Sequence, residues 1–229
     1  MSLKTILATA VALTLSAGAA SAAVLDFVQE ANNNERGVTD GTEIIMNGVN
    51  VTFTSSHFAY FDHGGAGLGV CKYVANPGAT SNNGEGNQCN TDIPNPASDD
   101  NVTSTESVTI SFDYAMTLSN LLFNQEGHAP FSDSATALQK TLLFGINDGT
   151  LVRYTFAQLQ SMSFSDVISA TFAFDDATFW NDADFNGLSA ASEQFYLAAA
   201  TVVPVPLPAA GLMLLAGLGA LGAARRRRG

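Results

Sequence analysis

Positive charge is what the interior of this chain lacks. Of the nine lysines and arginines among 229 residues, Lys4 and Arg225 to Arg228 stand at the extreme ends, so residues 23–202 hold only Arg36, Lys72, Lys140 and Arg153. All 21 acidic residues fall in that same stretch, four bases against 21 acids, a formal charge of −17. A surface of that sign repels phosphate backbones and anionic headgroups, which excludes nucleic acid as a partner and argues against peripheral electrostatic attachment to a membrane. Divalent cations are its natural counter-charge. Catalytic signatures are scarce as well: there is no G-x-S-x-G elbow, no H-E-x-x-H, no P-loop and no C-x-x-C, and the three histidines, His57, His63 and His128, are scattered. The chain therefore reads as a non-enzyme. Asp62-His63 is the one neighbouring pair that could start an acid/base or metal site.

Long apolar runs are confined to the two ends. Residues 1–22 read as a signal peptide: one n-region lysine, Lys4, the apolar stretch Thr5 to Leu15, and small residues at Ala20 and Ala22 in the A-x-A spacing read by signal peptidase, with cleavage after Ala22. At the other end residues 203–229 begin with alternating prolines, continue through 16 uncharged residues from Ala209 to Ala224, and close on four arginines. As a helix that run is about 24 Å long, slightly short of a hydrocarbon core of roughly 30 Å. The arginines behind it would stay in the cytoplasm, leaving residues 23–202 outside.

The string Val205-Pro206-Leu207-Pro208-Ala209, the small-residue apolar run and the cluster Arg225, Arg226, Arg227 and Arg228 resemble the VPLPA variant of the PEP-CTERM sorting signal. That resemblance implies processing by exosortase, a membrane-embedded enzyme. The tail would then be a temporary tether in the inner membrane, cut near the prolines as the protein passes to the cell surface or extracellular matrix. It covers only the last 25 or so residues and implies nothing about the chemistry of the body. Gly67 to Cys71, Gln88-Cys89, Ser98 to Val102 and Glu106 to Phe112 are similar to a body type that recurs among such proteins, over residues 42–125.

Residues 23–202 read as one all-β domain, an antiparallel sandwich or jelly roll. Runs rich in β-branched and aromatic residues predict strands at 41–46, 49–55, 58–62, 106–114, 117–124, 140–146, 151–156, 168–174 and 193–202, and Phe156 to Met162 predicts a short helical turn. Asn47-Gly48 and Asp148-Gly149 join adjacent runs as hairpin turns would, and Asn186-Gly187 has the same chemistry. Residues 72–104 are too polar and too rich in Gly, Pro and Asn to bury and predict a long surface loop. The two cysteines, Cys71 and Cys89, stand at its base and toward its far end; in an exported protein they predict a disulfide that closes it.

One chemical motif stands out. Asp182-Ala-Asp184-Phe-Asn186-Gly187-Leu-Ser-Ala-Ala-Ser-Glu193 fits D-x-[DN]-x-[DN]-G-x5-E, the spacing of a twelve-residue calcium loop. Asp182, Asp184, Asn186 and Glu193 would supply side-chain oxygens and Leu188 a backbone carbonyl to Ca²⁺. The flanks read as strands, so this is a calcium loop between strands and not an EF-hand; a solvated acidic turn is the other reading of the same residues. Asp99-Asp100-Asn101 with Glu106 forms a second acidic turn without the glycine. The body is expected to have a structural or adhesive role linked to exopolysaccharide. The alternatives are a calcium-dependent carbohydrate-binding module, with Tyr60, Tyr73, Phe179 and Trp180 stacking on sugars, and then a secreted hydrolase.

Overall fold

Alternation of apolar and polar residues on a single long strand organises the protein. The computed structural model describes residues 21–74, 89, 100–131, 140–175, 191–192 and 194–205. Strand β7, Ser107–Gln125, runs through the middle of the described fold. Val108, Ile110, Phe112, Met116 and Leu118 point into the core on the two-residue period of a strand. At Asn120 the backbone turns to φ 50° and the pairing with the neighbouring strand slips, so that Leu121 and Phe123 now face inward while Leu122 is exposed. This is a β-bulge, and one extra residue is what switches the face. The sequence predicts two strands here, 106–114 and 117–124; they form one continuous strand whose pairing changes across Asp113 to Ala115, from β4 to β12 on one edge and through a register shift against β10 on the other.

One edge of β7 pairs with β10, Ser163–Ala173, between Ser107 and Ser119, with a register shift in between. The other edge is shared: β4, Val49–Ser55, takes Val108 to Phe112, and β12, Phe195–Pro204, takes Met116 to Gln125. Beyond β4 lies β3, Thr42–Met46, through the predicted Asn47-Gly48 hairpin. Beyond β10 lie β8, Lys140–Ile146, and β9, Val152–Thr155. Their hairpin turns on Asn147 and Asp148, both with positive φ, one residue earlier than the Asp-Gly pair suggests. β12 also pairs with β1, Ala23–Asp26, as a branch, and with β6, Gly67–Cys71, beyond which lie β5, Phe58–Asp62, and β2, Arg36–Val38. A two-residue β11, Ala191–Ser192, pairs with β8 in the sole parallel contact among the described strands. Twelve mostly antiparallel strands are thus hydrogen-bonded into one branched sheet.

Two short helices cap it. In α1, Phe27–Asn33, the Asp26 carboxylate accepts the Gln29 N–H at 2.8 Å, and Phe27 and Ala31, four apart, are buried. In α2, Phe156–Ser161, Thr155 and Gln158 satisfy each other's backbone N–H groups as a capping box. This is the predicted helical turn. Phenylalanines fill the core between the arms: Phe53 meets Phe27 and Phe61, while Phe123 meets Phe156, Phe172 and Phe195.

Cys71 and Cys89 are joined, as predicted, with Cα atoms 5.7 Å apart. Closing a loop of this length contributes about 3 kcal/mol by restricting the unfolded chain. The far end of the 72–104 stretch departs from the expected surface loop: Asn101, Val102 and Thr103 are buried, and Val102 pairs with Phe195 of β12. Gly69 makes the crossing possible, because a Cβ there would stand 2.1 Å from the Asp100 carbonyl oxygen.

Candidate functional site

Three acids, the buried Asp62 and the half-buried Glu35 and Asp100, gather around two buried tyrosines. Tyr60 and Asp62 alternate along β5, which is covered on both faces. The Tyr60 hydroxyl donates to Glu35 Oε1 at 2.6 Å, Glu35 being delivered by the turn before β2, and the same phenol meets the Cys89 backbone. From β12, the Tyr196 hydroxyl donates to Asp100 Oδ1 at 2.5 Å. Next to it Asn101 Nδ2 donates to Gln194 Oε1 at 3.1 Å, tying the crossing segment to the start of β12. Burial first, and then the neighbouring carboxylates, push both phenols well above the usual tyrosine range, so they remain hydrogen-bond donors.

Asp62 is the most deeply buried carboxyl of the set. Only 6% of it is exposed, and burial, followed by the repulsion of Asp100 and Glu35, pushes its carboxyl up to about 8. His128, in the turn after β7, brings Nε2 to 3.1 Å from Asp62 Oδ2 without an aligned hydrogen bond. Its ring stands edge-on to Tyr196 and its Nδ1 is 3.3 Å from the Gly64 carbonyl. Asn124 locks the Gly65 and Ala66 carbonyls of the same turn at 2.7 and 2.8 Å. Sequence proximity suggests Asp62-His63; the fold instead brings in His128 from 66 residues away. Asp62 itself is closed to solvent, and half-buried His128 faces an open cleft of about 490 Å³ lined also by Leu122, Pro130, Phe131 and Gln160.

A carboxyl that keeps its proton in the fold up to about pH 8 and loses it near 3.8 when unfolded binds protons more tightly in the native state. Native stability from this group is therefore complete below about pH 4 and declines as pH rises toward 8. Asp62→Asn should remove that decline: urea unfolding should show the variant gaining on the parent between pH 5 and pH 9. Parallel curves for the two proteins would refute the assignment.

A second polar group holds the base of the motif-bearing segment. Asp175, 2% exposed, receives both Nε and Nη2 of Arg153 and the Thr141 hydroxyl, the last at 3.0 Å. Ser192, on the other side of the segment, pairs with the same Thr141. The two ends of residues 176–190 thus meet on β8. The predicted ligands Asp182, Asp184, Asn186, Leu188 and Glu193 lie outside the described residues, as do Phe179 and Trp180. Among the described residues no three His, Cys, Asp or Glu side chains stand together as a metal site. Of the aromatics expected to meet sugars, Tyr73 is exposed, but Tyr60 is 1% exposed and committed to Glu35, a correction to the expected binding platform.

β12 ends at Pro204, opposite Met116, and the Val205 N–H still donates to the Ala115 carbonyl at 3.0 Å. Pro206, Leu207, Pro208, Ala209, Arg225, Arg226, Arg227 and Arg228 lie outside the described residues, as do residues 1–20. No helix among the described residues is long and apolar enough to cross a membrane. Residues 204–228 match the family model of the PEP-CTERM protein-sorting motif. No curated protein and no solved structure matches the chain.

Proposed function

We propose, for a chain that carries a PEP-CTERM sorting motif, a non-enzymatic protein of the cell surface or matrix whose β-sheet body serves a structural or adhesive role at the exopolysaccharide. The motif marks the protein as exported, handled by exosortase and sorted to the cell surface. Its tail is read as the VPLPA type, inserted in the inner membrane through residues 209–224 and released near Pro208. The branched sheet is read as a sandwich folded at the middle of β7, with the phenylalanine core between its arms. The observation that carries this reading is the match at residues 204–228, which begins on the last residue of β12. Signal-peptide cleavage after Ala22 is supported at the other end, because β1 starts on Ala23 while Ser21 and Ala22 are exposed. Within this role calcium is assigned to Asp182, Asp184, Asn186, Glu193 and the Leu188 carbonyl. The acid excess favours a cation there, and affinities of about 10⁻⁴ to 10⁻³ M are typical of extracellular modules.

Intact-mass measurement of surface material tests the reading. The mature chain should start at Ala23 and end close to Pro208. Recovery of an intact arginine tail from the final location would make it a permanent anchor. In the same preparation, a melting temperature that ignores both calcium and chelator would remove the ion from the proposal.

A further inference from the structure

The sheet leaves almost no slack before the sorting tail. With Val205 bonded to Ala115, only residues 206–208 separate the last sheet hydrogen bond from the apolar run that starts at Ala209. Four peptide steps reach roughly 14 Å when fully extended. The headgroup layer on one side of a bilayer is already about 5–8 Å thick. A tail inserted from Ala209 onward therefore draws the middle of β7 down to the membrane surface.

The N-terminal side leaves from the same place. Ala23 pairs with Val202, so the residues before β1 depart beside those after β12. Several exposed apolar side chains surround this corner by register. Tyr114 precedes Ala115, and Ile168, 54% exposed, follows Val167, which pairs with Met116. The exposed Val24 gives its carbonyl to Asn47 in the β3–β4 turn, next to the exposed Ile45. The acids in this region, Asp113 and Asp166, are exposed and speak against anionic lipid. By contrast the far ends of the two arms, at His57 beyond β4 and Glu126 beyond β7, are polar.

We propose that this corner, formed by Val24, Tyr114, Ala115, Ile168 and Val205, is the surface that lies against a zwitterionic phospholipid bilayer while the tail is inserted. The acid cluster and the disulfide then point away from the membrane, into the medium. The proposal rests on the reading of residues 209–224 as membrane-inserted. Its chemistry is apolar contact enforced by a short tether, with no requirement for electrostatic attraction.

The test uses the tail-bearing protein in phosphatidylcholine vesicles that carry nitroxide-labelled headgroups. Since Cys71 and Cys89 are paired, a thiol-reactive fluorophore reports only an added cysteine, placed by Tyr114→Cys, Ile168→Cys, His57→Cys or Glu126→Cys. Quenching should be several-fold stronger at 114 and 168 than at 57 and 126. Equal or reversed quenching in protein that floats with the vesicles overturns the orientation and leaves the anchor standing. Protein that does not float removes the anchor, and the proposal with it. Energy transfer between copies at position 114 without lipid quenching assigns the corner to a second copy and also overturns it.

Discussion

Phe123→Ala should lower the free energy of unfolding by about 3–5 kcal/mol, while Leu122→Ala, one residue away, should change it by less than about 0.5 kcal/mol. The contrast follows from the bulge at Asn120. Phe123 is 1% exposed and packs edge-on against Phe156 of α2, Phe172 of β10 and Phe195 of β12 at 5.1, 6.0 and 5.9 Å between ring centroids. Those three rings come from different elements of a connected core, so they cannot all close on the space an alanine leaves, and a cavity penalty adds to the lost burial. Leu122 is 41% exposed and gives up little when shortened. In a protein of this size the first substitution corresponds to a melting shift on the order of 10 °C. Urea unfolding of both variants decides it. Equal losses at 122 and 123 would mean that the strand does not switch faces at Asn120.

That switch marks the limit of what the sequence discloses. Regular alternation and hairpin chemistry are local, so β3 to β5, β8 and β9 are legible, and so is the turn at Asn47-Gly48. β7 divides into two predicted strands at Ala115-Met116, and only the neighbouring strands show that one strand continues there while its partner changes from β4 to β12. β6 escapes prediction because Gly67 and Gly69 carry no side-chain signal. They are small for a reason that lies elsewhere in the chain, the passage of Leu197 and Asp100. The helix α1 does have a signal, Asp26 as cap with Phe27 and Ala31 four apart, but two buried residues make a weak period.

The candidate site is less legible than the fold, since it is assembled from Glu35, Tyr60, Asp62, Asp100, His128 and Tyr196, each from a different turn or strand except the pair on β5. Nothing in the sequence around Asp62 points to His128, 66 residues on. The acidic turn at Asp99-Asp100-Asn101 is visible as a cluster of charge, yet composition alone does not place Asp100 against Tyr196. The sorting tail is the opposite case. Its information is linear, so the motif at 204–228 is read without a fold, and the fold adds only where the tail leaves the sheet.

The second large effect is expected at Arg153 and Asp175, where removing either partner strands the other. Arg153→Met should cost about 3–5 kcal/mol, because Asp175 is the more deeply buried charge and cannot regain water. Asp175→Leu should cost less, on the order of 2–3 kcal/mol, since the Arg153 side chain keeps 22% of its exposure and can turn outward. Replacing both, Arg153→Met with Asp175→Leu, leaves no charge to desolvate, and an apolar pair of similar volume is often close to neutral in such a position. The double variant should therefore be more stable than the sum of the single losses predicts by several kcal/mol, since those losses together come to about 5–8 kcal/mol and the apolar pair should lose little. A strictly additive cycle would show that the ion pair contributes no coupling. The same cycle separates stability from site-building, because Asp175 and Ser192 both meet Thr141 and together hold the ends of residues 176–190 on β8. An apolar pair can restore packing there without restoring the Thr141 hydrogen bond to Asp175. If calcium binds through Asp182 to Glu193, the double variant should regain stability in chelator yet gain less than the parent when calcium is added.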